Sequence, residues 1–191
     1  MISIGAPLPE RLASTSDTDS GDRIVNRNYH RIVTTTETPT TWDRTGIEAL
    51  GFEGFTKLTQ LRADDVPDKH GIYVVLRPGS EPPVFQADNP VKRPRLKLYS
   101  VGYLTEYWVE NTPVVYIGKA AGAEGLRDRL KPYAKKSSGH SGGRAIWQLS
   151  DADDLLVCWK VIEEAETVEK VWIKTFREAH GGMRPFANWN G

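Results

Sequence analysis

Apolar positions are sparse over the first 40 residues and fall into pattern only afterwards. Residues 1–40 are dominated by Ser, Thr and Asp, as in STSDTDSGD and TTTETPTT. Such a stretch buries too little apolar surface to offset the entropy of ordering, and reads as a flexible N-terminal extension. From Trp42 the apolar content rises. Leu50, Phe52, Phe55, Leu58 and Leu61 predict short helices in a capping segment over residues 41–67. Pro67-Asp68-Lys69-His70 marks a turn, and GIYVVLR (71–77) then alternates as a strand does. Residues 78–112 carry several prolines and predict an irregular insertion, within which LKLYSVGYLTEYWVEN fits a hairpin or a short helix. PVVYIGK follows as a second strand. Residues 124–131 fit a helix with Leu126 and Leu130 one turn apart, which Pro132 is expected to end or kink. LLVCWKVI (155–162) is a continuous apolar run, the signature of a strand buried on both faces. Residues 163–180 form the strongest helical pattern, closed by Gly181-Gly182.

That last helix also carries the first chemical signal. At 100° per residue, Ala165, Val168, Trp172, Ile173, Phe176 and Ala179 share one arc, the expected core face. Glu169 falls inside this arc, whereas Glu163, Glu164, Glu166 and Glu178 lie at its edge or outside. A carboxylate on an apolar face is costly unless it is paired or coordinated. Glu169 is therefore either half of a buried ion pair with an Arg or an oxygen ligand for a hard divalent cation.

Charge sharpens the picture. The chain of 191 residues has 25 Lys/Arg against 25 Asp/Glu, so net charge alone attracts no polyanion. The distribution is uneven, however: residues 91–144 hold eleven Lys/Arg and four Asp/Glu, a local balance of +7. A neutral protein with a basic middle suits docking of a polyanion on one face. One cysteine, Cys158, precludes an internal disulfide framework. With no secretory leader pattern and no apolar run of membrane-spanning length, a cytoplasmic setting without membrane contact is expected.

Several chemistries are excluded by spacing. Gly118-Lys119 resembles the end of a phosphate-binding loop, but position 113 is Pro and position 120 is Ala, where that loop needs Gly and Ser or Thr. The four histidines are dispersed and Cys158 has no partner at ligand spacing, which argues against zinc. No nucleophile-elbow pattern is present.

The residues left over form an ordered set. Gly71-Ile72-Tyr73 and Tyr116-Ile117-Gly118 are followed by Lys119-Ala120, then by Leu126, Arg129, Leu130 and Tyr133 in a Leu-x-x-Arg-Leu-x-x-Tyr run. Glu169 with Trp172 and Ile173, and finally Pro185 with Asn188, complete it. Over about residues 68–190 the chain resembles the GIY-YIG nuclease family. The resemblance implies an α+β fold: a small, mainly antiparallel three-stranded sheet flanked by helices, in a nuclease-like domain over 68–191 with an insertion at about 78–112. It also implies a metal-dependent endonuclease acting on DNA, with RNA left open. Glu169 would hold one Mg²⁺ or Mn²⁺, Arg129 would clamp phosphate oxygens, and Tyr73 or Tyr116 would act as general base. Lys119 would help lower the tyrosine pKa from its free value near 10. Tyr133 and Asn188 would help shape the substrate site, and His140 and Arg144, from the Gly-rich loop, would contact phosphate. The insertion, 42 residues lying between Tyr73 and Tyr116, contributes VKRPRLK, either as a substrate contact or as a surface excursion. Restriction-like cutting of both strands would call for a dimer. The competing reading is a nucleic-acid-binding module with this fold and little catalysis.

Overall fold

The structure is a computed structural model, and it describes residues 36–88, 98–123, 125–136 and 143–189. Most of the expected N-terminal extension (1–35), VKRPRLK and His140 lie outside the described residues.

Four strands form one antiparallel sheet: β1 (Glu53–Lys57), β2 (Gly71–Leu76), β3 (Val114–Ala120) and β4 (Leu156–Val161), in the order β1-β4-β2-β3. The sequence pattern predicts three of these. β1 escapes it because the strand is bulged: Gly54 and Phe55 both have positive φ (99° and 48°), and the register against β4 shifts between Glu53 and Thr56. A bulge breaks the two-residue alternation by which a strand is recognised. The helices are α1 (Arg44–Glu48), α2 (Val101–Glu106), α3 (Gly125–Ala134) and α4 (Ala165–Ala179), so the architecture is α+β with helices flanking the sheet. Among the described residues no helix is long and apolar enough to cross a membrane.

Central strand β2 is buried along its whole length and divides two cores. Ile72, Val74 and Leu76 face α4 with Ile117, Cys158, Trp172 and Phe176. Tyr73 and Val75 face α3 with Leu126, Leu130, Tyr133 and Trp147. Alternation along one strand thus supplies both sides.

α3 is fixed at its start by the chain before β2. The backbone N–H groups of Leu126 and Arg127 donate to Lys69 O (2.9 Å) and Pro67 O (3.1 Å). The Arg127 side chain donates to Ala63 O and Val66 O. Contrary to the sequence expectation, α3 runs through Pro132 to Ala134. Leu126, Leu130 and Tyr133 are wholly buried on its inner face, each worth about 1.5–3 kcal/mol. Their sum outweighs the roughly 3 kcal/mol that an interior proline costs. Tyr133 therefore stays one turn beyond Arg129.

On α4, Ala165, Val168, Trp172 and Phe176 are buried, Ile173 is half-buried, and Ala179 is exposed rather than in the core. The helix ends there, one turn past the sheet contact. Trp172 donates through Nε1 to Glu37 O (2.9 Å), and Pro39 is buried, so the packed body reaches back to residues 36–40. Inside the insertion, α2 is capped by Ser100, whose Oγ accepts from Tyr103 N at 3.2 Å. Phe85 bridges to Leu149, and residues 144–148 form a buried 3₁₀ segment.

Truncating Phe176, which is fully buried between α4 and the sheet, should cost about 3–5 kcal/mol. Urea unfolding of Phe176→Ala against the parent protein reads this directly. A change below about 1 kcal/mol would contradict the packing described for that face.

Candidate functional site

Three tyrosines meet on the α3 side of the sheet. Tyr73 pairs with Gly118 across β2 and β3, and the Tyr73, Tyr116 and Tyr133 ring centroids lie 5.8–6.1 Å apart in pairs. They fit because position 118 has no side chain. A Cβ there would stand 2.4 Å from Tyr73 Cζ, 2.6 Å from its hydroxyl and 2.7 Å from Tyr116 Cε1. Gly143 plays the same part from the far side, where a Cβ would meet the Tyr133 hydroxyl at 2.6 Å and the Tyr116 ring at 2.8 Å. The Tyr133 hydroxyl donates to Gly143 O at 3.0 Å and so ties down the loop before Arg144.

Arg129, half-buried on α3, has the Tyr73 and Tyr116 hydroxyls as hydrogen-bond partners, and its Nε is buried without an acceptor. Among the described residues the guanidinium is engaged by two phenols and by no carboxylate. Burial opposes its charge and the two phenols more than offset that, leaving its pKa raised. Tyr73 is pushed well above the ordinary phenol value by burial first and by Tyr116 second, with Arg129 opposing. Tyr116 is also raised, by burial and by the Glu169 carboxylate, against the lowering effects of the Tyr73 hydrogen bond and of Arg129. Tyr73 accordingly keeps its proton and donates it towards Tyr116, which is the phenol of the pair better disposed to ionise.

Lys119 and Glu169 belong to the opposite face. Lys119 pairs with Ile72, which packs under α4. Its ammonium lies 3.4 Å from Glu169 Oε2 and 3.4 Å from Glu166 Oε1. The Glu169 side chain is 17% exposed and that of Glu166 is 59% exposed. Of the two alternatives for Glu169, an ion pair is present in this structure, with Lys119 and not with an Arg. The cation that acts on the tyrosines is Arg129, not Lys119. The helical wheel puts Glu166 at the edge of the apolar arc or outside it. Its spacing from Glu169, i to i+3, is the signal that finds it. Lys170 (3.0 Å) and Lys119 together hold the Glu166 carboxyl below its usual pKa.

The remaining candidates are dispersed around this centre. Asn188 is buried and its amide is spent on β3: Oδ1 accepts from Ile117 N (2.9 Å) and Nδ2 donates to Ile117 O (2.6 Å). Arg144 lies over Tyr99, with its guanidinium 5.1 Å from the ring centroid and its Nε 3.1 Å from the hydroxyl. His140 is outside the described residues.

Glu166 and Glu169 both meet the Lys119 ammonium, and Lys170 also engages Glu166. Among the described residues no group of three or more His, Cys, Asp or Glu comes together. A bound ion would therefore rely on one or two carboxylates and water, which is the habit of Mg²⁺.

No family model matches the chain, and neither a curated protein nor a solved structure does.

Two outcomes are expected. In metal-free protein, tyrosine absorbance titration should place Tyr116 ionisation above pH 10, and Glu169→Gln should bring it down, because the substitution removes the carboxylate that pushes it up. Folded phenols with raised pKa hold protons that unfolded ones release, so stability is full below about pH 10 and falls as pH rises beyond it. A Tyr116 signal unmoved by Glu169→Gln would contradict the coupling. Separately, Asn188→Ala leaves two buried Ile117 backbone groups without partners, at about 1–3 kcal/mol each. The chemical denaturation midpoint should fall accordingly, and a midpoint equal to the parent's would mean the clamp carries no stability.

Proposed function

We propose that the chain is a metal-dependent endonuclease of the GIY-YIG type that hydrolyses phosphodiester bonds in DNA. The observation that carries this reading is the half-buried Arg129 guanidinium, which among the described residues is engaged by the Tyr73 and Tyr116 phenols and not by a carboxylate. A folding core has no need of such a group. A guanidinium whose charge is not cancelled by a neighbouring acid is a receptor for an anion with planar-fork geometry, such as phosphate. Tyr73, Tyr116 and Arg129 come from three separate elements, β2, β3 and α3, and β3 also carries Lys119 towards Glu169.

In this reading Arg129 binds the non-bridging oxygens of the scissile phosphate and stabilises the charge that grows on them. Tyr116 takes a proton from the attacking water. Tyr73 donates to the Tyr116 oxygen and so favours its phenolate, while the packing of all three rings against Gly118 and Gly143 holds the phenols in place. Glu169, with Glu166 beside it, would hold the Mg²⁺ or Mn²⁺ ion, which supplies charge neutralisation at the leaving oxygen. Lys119 holds the two carboxylates in register on the α4 face.

One observation favours a second reading, a nucleic-acid-binding module without catalysis. Both phenols are raised in pKa, and Lys119 is engaged by acids. The two readings part on cleavage. With supercoiled plasmid and Mg²⁺ or Mn²⁺, the intact protein should nick or linearise the DNA, and EDTA should abolish this. Arg129→Ala and Glu169→Ala should lose about 100-fold or more, and Tyr116→Phe about 10²–10⁴-fold. A protein that retards plasmid on a gel but never cuts it would establish the binding module instead.

A further inference from the structure

The insertion builds an aromatic platform beside this site, and nothing in the proposed cleavage step uses it. Tyr103 and Tyr107, one turn apart on and just after α2, have ring centroids 4.5 Å apart. Tyr99 stacks on Tyr103 at 5.9 Å and 15°. Trp189 meets Tyr99 edge-on at 4.3 Å and Tyr103 edge-on at 4.9 Å. A buried cluster of this size would be ordinary core. Here the outermost ring, Tyr103, is 38% exposed and presents to solvent the surface its neighbours hold rigid.

Two links fix the platform to the reactive groups. Trp189 directly follows Asn188, whose amide grips Ile117 between Tyr116 and Gly118. Arg144, stacked on Tyr99, directly follows Gly143, which packs on the Tyr116 ring. The stretch of sequence that carries Tyr99, Tyr103, Tyr107 and Arg144 is basic: residues 91–144 hold eleven Lys/Arg against four Asp/Glu. Rigid aromatic faces with a cation at one end are how proteins hold unpaired nucleotides, because each base offers a π-face and the backbone a charge.

We infer that Tyr103, supported by Tyr99, Tyr107 and Trp189, stacks an unpaired base of the DNA substrate while Arg144 contacts the adjoining phosphate. The inference rests on the nuclease reading and narrows its substrate to DNA with a single-stranded or extruded nucleotide near the cut.

The test is fluorescence anisotropy of the full chain in EDTA, with a short fluorescein-labelled single-stranded DNA and the matching duplex as probes. Tyr103→Ala should weaken single-strand binding about tenfold or more and leave duplex binding unchanged. Tyr103→Phe, which keeps the ring, should bind as the parent does. Arg144→Ala should shallow the salt dependence of single-strand binding by roughly 0.7 in log–log slope, whereas Tyr103→Ala should leave that slope alone. Equal single-strand affinity for Tyr103→Ala and the parent, or equal losses on both probes, would overturn the platform. Plasmid cleavage run alongside separates the two ideas. Metal-dependent cutting without a Tyr103 effect sinks the platform and leaves the nuclease standing. A Tyr103 effect without cutting sinks the nuclease and leaves a single-strand-binding surface.

Discussion

β3 lies at the rim of the sheet, and a rim strand leaves backbone N–H and C=O groups without ladder partners. Here the C-terminal segment closes the rim. Ala187 N donates to Val115 O (2.9 Å), and the Asn188 amide both accepts from and donates to Ile117. A side-chain amide presents one acceptor and one donor side by side, as a backbone peptide does, so Asn188 substitutes for a missing strand residue. Several features of the site lie on or beside the stretch this clamp holds: Tyr116 and Gly118 towards α3, Lys119 towards α4, and Trp189 in the aromatic cluster.

The two faces of β3 solve opposite electrostatic problems. On the α3 face the Arg129 guanidinium sits between phenols whose pKa burial raises, with no carboxylate paired to it among the described residues. On the α4 face the Glu166 and Glu169 carboxylates meet the Lys119 ammonium, and Lys170 engages Glu166 as well. Glu169 is felt across the strand, since it pushes up Tyr116. One strand therefore separates the Arg129 guanidinium from a pair of carboxylates engaged by Lys119 and Lys170.

How far the sequence went can be traced through particular residues. β2, β3, β4 and α4 were legible because each is rich in apolar residues over its whole length, and Glu169 stood out as an acid inside an apolar arc. β1 was hidden by a bulge, and the course of α3 beyond Pro132 by a local rule that buried Leu130 and Tyr133 override. Pairings across elements have no sequence signature. That Lys119 would turn to Glu166 and Glu169, or that Asn188 would serve the backbone of β3, depends on which face of the strand each position takes. That face is set in part by the register shift between Val75 and Leu76, which puts Val115 and Tyr116 on the same side.

Cys158 illustrates how a residue without a role in the site still reports on it. It is the one thiol of the chain, wholly buried in β4 beneath α4, and burial pushes its pKa far above the ordinary thiol range. Its Sγ faces the Val74 carbonyl of β2, the strand that bears Tyr73. An alkylating reagent therefore reaches this sulfur only when α4 and the sheet come apart. The speed of labelling is a clock for that opening, set by the free energy of the breathing motion and not by thiol chemistry. Because Glu169 rides on the same helix, anything that ties its carboxylate to the sheet should slow the clock, so occupancy of the acidic face becomes readable in a protein that turns nothing over.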